Sequence, residues 1–134
     1  MMNAALREFV RQRAGDRCEY CLLPQAAAPF FAFHTEHIRA QQHGGQDVEL
    51  NLALACPDCN AFKGPNLTSV DSHTDVVVLL FNPRNQDWDD HFVRQDALIW
   101  GVTPTGRATV DLLNFNEVER VEMRAELLAN GEWP

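Results

Sequence analysis

Apolar residues recur at helical spacing near the start of the chain. Ala5, Leu6, Phe9 and Val10 form one stripe behind the capping residue Asn3, so a helix is expected to about Ala14. Gly15-Asp16 ends it and delivers Cys18, and Pro24 to Pro29 reads as an Ala-rich loop. From Phe30 to Ile38 the period changes to two, with Phe31, Phe33, Thr35 and His37 on one face and Ala32, His34 and Glu36 on the other, the signature of a strand. His43-Gly44-Gly45 marks a loop, and Leu50 to Ala55 reads as a second strand. A helix is expected near Cys59, with Asn60 and Lys63 one turn apart and Gly64-Pro65 as its stop.

Further on, Val76 to Phe81 reads as a buried strand closed by Asn82-Pro83, and Phe92-Val93 and Leu98 to Val102 as short strands. Thr103-Pro104 opens a helix to about Leu113, and Asn116-x-x-Glu119 has the form of a capping box for a last helix ended by Gly131. Helices and strands mix without a βαβ rhythm, which makes the fold class α+β.

The chain has 134 residues, the span of one domain, and a net charge of −8. That balance argues against a protein that coats nucleic acid by bulk electrostatics. The charge is uneven. Residues 1–63 carry six basic and seven acidic side chains, and residues 64–134 carry five and twelve. Any polyanion contact is therefore expected on the first half. The longest apolar run, Val76 to Phe81, is six residues, and Arg7, Glu8, Arg11 and Arg13 interrupt the N-terminus where a signal peptide needs an apolar stretch. A soluble, cytoplasmic protein is expected. Lys63 is the only lysine, against ten arginines.

The four cysteines form two pairs, Cys18-x-x-Cys21 and Cys56-x-x-Cys59, separated by 34 residues. In a cytosolic chain this spacing reads as a metal site, two knuckles giving four thiolates to a tetrahedral zinc, with a redox pair or buried free thiols as the alternatives. Between and after the knuckles lie Glu36-His37, Asn51, Asn60 and Lys63. An acid beside a histidine offers a hard oxygen ligand and a group that takes a proton near neutral pH, and Asn60 adds a neutral oxygen. Such ligands suit Mg²⁺ or Mn²⁺, whereas the thiolates suit zinc.

The ordered stretch Arg17-Cys18-Glu19-Tyr20-Cys21, His34-Thr35-Glu36-His37-Ile38, Gly44-Gly45, Leu50-Asn51-Leu52 and Cys56-Pro57-Asp58-Cys59-Asn60-Ala61-Phe62-Lys63 resembles the HNH endonucleases. These have the ββα-metal (His-Me finger) fold and here a flanking four-cysteine zinc. The resemblance covers about residues 5–65. It implies a nuclease core over residues 1–70, with residues 71–134 as a mixed α/β extension packed on the same domain. By position it makes His37 the general base, Glu36 (where the family usually has Asp) a ligand of the catalytic ion, and Asn60 (often His) the second ligand. Asn51 becomes the asparagine that bridges the loop and holds the base. Lys63, Arg39 and His34 are candidate nucleic-acid contacts. The implied cofactors are structural Zn²⁺ and catalytic Mg²⁺ or Mn²⁺; the implied partner is nucleic acid, with DNA first. A double-strand break would need a homodimer or two encounters.

In a regular strand Glu36 and His37 point to opposite faces, so the reading requires the strand to end or bulge at that pair. Each residue also has a plainer role: Glu36 as a strand carboxylate, Asn60 as a helix cap, His37 as a structural imidazole. The competing function is a zinc-stapled module that binds nucleic acid or protein without cutting.

Overall fold

A computed structural model describes residues 2–134. They form an α+β chain of two compact units, the first ending at Leu67 and the second Thr68–Pro134.

The first unit begins with α1 (Ala4–Arg13), whose Asn3 cap accepts a hydrogen bond from Leu6 N at 2.8 Å. Strand β1 (His34–His37) pairs antiparallel with β2 (Leu52–Ala55), with Glu36 opposite Ala53 and His37 opposite Leu52. Helix α2 (Pro57–Lys63) follows directly, so two strands and a helix make a ββα unit. Cys56 caps α2, proline occupies its first turn, and Gly64 ends it at φ 51°. All four residues of β2 are buried, and with Val10, Tyr20 and Phe33 they make the core of this unit. Each such large apolar side chain contributes roughly 1.5–3 kcal/mol by leaving water.

Two expectations change in this unit. Only His34–His37 of the alternating run is strand, because Gln25 takes the residues before it: its amide donates to Ala28 O and Phe31 O, and its carbonyl accepts from Phe33 N. Phe30 and Phe31 are left exposed. The second strand starts at Leu52, because Glu49–Asn51 wind into a 3₁₀ turn.

The second unit opens with the hairpin β3 (Thr68–Asp71) and β4 (Val76–Leu79). The expected buried strand is thus one arm of an exposed two-stranded ribbon, and burial begins only at Leu80 and Phe81. A one-turn helix, α3 (Trp88–His91), leads into the hairpin β5 (Phe92–Gln95) and β6 (Leu98–Gly101). Helices α4 (Pro104–Leu112), capped by Thr103, and α5 (Val118–Ala129) complete it. The capping box does not form. Asn116 instead brackets Ile99, accepting from its N–H at 3.1 Å and donating to its carbonyl at 2.8 Å, and the unassisted Glu117 precedes α5. Phe81, Phe92, Ile99, Leu113 and Phe115 form the core, and buried Arg124 donates to the carbonyls of Ala97 and Phe115. Among the described residues, no helix is long and apolar enough to cross a membrane.

Candidate active site and metal centre

The two knuckles meet. The four cysteine sulfurs lie within 4.8 Å of one another, all buried, and none is in a disulfide. Cys21 Sγ is 3.7 Å from Cys56 Sγ, close to the ~3.8 Å edge of a tetrahedron built on Zn–S bonds of about 2.3 Å. The N–H groups of Cys21 and Cys59 point at the sulfurs of Cys18 and Cys56, at 3.5 and 3.4 Å. Burial pushes the Cys18 and Cys59 thiols up, so a set of clustered thiolates here needs a cation to neutralise it. The donor set and its spacing fit zinc. A backbone bond from Glu19 N to Leu54 O, and a bond from Leu54 N to the Glu19 side-chain Oε2, tie the first knuckle to β2.

Beside this centre is a cleft of about 560 Å³, lined among others by His34, Glu36, His37, Gln41, Asn60 and Pro65. Strand β1 ends at His37, with Glu36 and His37 both in regular register with β2, and both residues line the cleft. Glu36 is buried. The Tyr20 hydroxyl donates to its Oε1, and Lys63 Nζ lies 3.4 Å from its Oε2. Burial pushes the Glu36 carboxyl up, against the opposing pull of the Lys63 ammonium and the Tyr20 hydroxyl.

His37 is partly exposed, and its Nε2 sits 2.6 Å from Asp47 Oδ1. This hydrogen bond holds the Asp47 carboxyl below the usual carboxylate range. An ionised carboxylate only accepts, so Nε2 carries the proton and a neutral His37 has Nδ1 as its free base. Asn51 clips the intervening loop three times. Its Oδ1 accepts from Arg39 N at 2.9 Å, and its Nδ2 donates to Arg39 O and Gln46 O, each at 3.0 Å. Gly45 makes room for this clip, since a Cβ there would stand 1.7 Å from Arg39 O.

Asn60 lies inside α2 rather than at its cap, which is Cys56. Among the described residues its side-chain amide makes no hydrogen bond. His34 is exposed at the cleft rim, and Arg39 is exposed with its Nε donating to His43 O. Lys63 corrects the sequence expectation. It is 2% exposed, and its ammonium donates inward to His37 O at 3.3 Å and Ile38 O at 3.0 Å, out of reach of a phosphate in solvent.

Tyr20 and Asp47 were not singled out from the sequence. Tyr20 carried a signal, its position between two cysteines; Asp47 carried none beyond a glycine-rich loop. His91 belongs to the second unit, where its Nδ1 meets the Thr103 hydroxyl at 2.6 Å.

No curated protein and no solved structure matches the chain. The HNH endonuclease family model matches residues 18–66, the stretch that holds both knuckles, β1, β2, α2 and the cleft residues. Residues 18–66 therefore carry an HNH endonuclease-family domain, built as a ββα unit beside four clustered cysteines.

Proposed function

We propose that the first unit is a metal-dependent HNH endonuclease that hydrolyses phosphodiester bonds, with DNA as its substrate. What carries this reading is that Glu36, His37 and Asn60 border one cleft inside the stretch matching the HNH family. Glu36 and Asn60 offer a carboxylate and an amide oxygen, hard donors suited to Mg²⁺ or Mn²⁺, while the four cysteines hold the structural zinc. When bound, the divalent ion supplies positive charge to the scissile phosphate and the leaving 3′ oxygen.

His37 does the proton chemistry. With Nε2–H held by Asp47, its Nδ1 takes a proton from the attacking water as that water closes on phosphorus. Asn51 fixes the loop that carries Asp47, and so fixes the imidazole indirectly. His34 at the rim and the exposed guanidinium of Arg39 are the remaining contacts for the strand.

A second reading is a binding module that does not cut. One observation favours it: neither Lys63, which is buried, nor any arginine lines the cleft. Supercoiled plasmid, single-stranded DNA and RNA, each incubated with Mg²⁺ and with Mn²⁺, separate the two. The nuclease converts plasmid to nicked circles; failure on all three substrates assigns the binding module.

A further inference from the structure

The proton chemistry above leaves unused two buried polar side chains that converge on Glu36. Tyr20, 1% exposed, gives its hydroxyl to Oε1; Lys63, 2% exposed, brings its ammonium to Oε2. Each belongs to a different knuckle. Tyr20 lies between Cys18 and Cys21, and Lys63 lies one helical turn beyond Cys59 on α2.

Stability alone does not account for the arrangement. A buried ion pair is no more stabilising than well-packed apolar residues of the same volume, because both charges lose their water. A purely structural contact at this point needs no carboxylate. Glu36, however, is one of the residues that line the cleft. A carboxylate has about four lone-pair sites, and one on each oxygen is engaged here, which leaves one on each. Lys63 also donates to the carbonyls of His37 and Ile38, so the same ammonium anchors the strand end that carries the base.

We propose that Tyr20 and Lys63 are positioning residues that hold the Glu36 carboxylate for a divalent cation, each delivered by one cysteine knuckle. The proposal rests on the reading of Glu36 as a metal ligand. It makes the knuckles more than a staple: without them neither holding group is in place.

The test is a Mn²⁺ titration of the zinc-loaded full chain, following free Mn²⁺ by electron paramagnetic resonance, with zinc content and Tm recorded for every variant. Tyr20→Phe removes only a hydroxyl, and Lys63→Met removes the ammonium, with its charge and its hydrogen bonds to His37 O and Ile38 O. Partners of metal ligands typically contribute about 10–100-fold in affinity, so each variant is expected to weaken Mn²⁺ binding at least about tenfold with zinc unchanged. A packing role would lower Tm and leave the Mn²⁺ affinity alone. If Glu36→Ala abolishes binding while Tyr20→Phe binds as wild type, the positioning proposal is overturned and the ligand reading stands. If Glu36→Ala itself binds as wild type, the ligand reading falls and takes the proposal with it. Should Lys63→Met fail to fold, Tyr20→Phe decides.

Discussion

Asn51 exchanges three hydrogen bonds with the backbone of the loop it closes. Removing them by Asn51→Ala strands the polar groups of Arg39 and Gln46, at a cost of about 1–3 kcal/mol, since partly exposed groups recover some hydration. The expected result is a lower urea midpoint together with slower plasmid nicking, because Asp47 and then His37 lose their register. Nicking at the wild-type rate in a destabilised variant would confine Asn51 to a structural role. At this scale the sequence was readable where placement follows order: Glu36, His37 and Asn60 line one cleft, and Asn51 clips the loop between them. It was unreadable where chemistry depends on direction. Lys63 lies on a helix face that spacing alone leaves free to point inward or outward, and only the packing of α2 turns it in. Tyr20 reaches Glu36 across 16 residues, and nothing local announces that contact.

Among the elements, α2 has seven residues, fewer than an isolated helix needs in water, and β1 and β2 form a ribbon of only four pairs. Cys18 and Cys21 precede these elements and Cys56 and Cys59 lie at the start of α2, so a metal held by all four is expected to carry their folding. Prolonged chelation, or Cys59→Ser, should remove amide-exchange protection from β2 and α2; retained protection at zero zinc would show that packing suffices. In the second unit Asp71 ties the first hairpin to α4 through Arg107, at 2.8 and 2.9 Å. That pairing holds the Asp71 carboxyl far below the usual range. A depressed carboxylate contributes stability that is complete above its unfolded pKa of ~3.9 and is lost as the pH falls below that value toward the folded one. Asp71→Asn should therefore lower Tm at pH 7, with the gap to wild type narrowing below about pH 4; a constant gap would assign the loss to packing. Element boundaries were legible where caps announced them, at Asn3 and Thr103. They failed where a side chain found a distant partner, as Gln25 did in the first unit and Asn116 in the second. Strand β3, Thr68-Ser69-Val70-Asp71, has a single apolar residue and so no readable period.

For the whole molecule, the net charge of −8 sits mainly outside the part that matches the nuclease family. The first 63 residues are near neutrality, and the cleft itself has no cationic side chain on its lining. If the first unit is the nuclease proposed above, so weakly cationic a cleft would need a bound divalent cation to approach phosphate, and cleavage is expected only with Mg²⁺ or Mn²⁺ present. The ββα architecture and the four-cysteine cluster were readable from motif order because both are local consequences of it. The second unit has no comparable motif, and its fold comes from packing that no short spacing encodes. On the proposed nuclease reading one cleft would cut one strand, so nicked circles are expected to precede linear product. The most direct measurement is the nicking rate of supercoiled plasmid with saturating Mg²⁺ or Mn²⁺, comparing wild type with His37→Ala at equal zinc content. Loss of a general base predicts a fall of about 10²–10⁴-fold in the variant with its zinc and fold intact. Equal rates for the two proteins would contradict the assignment of His37 as the base.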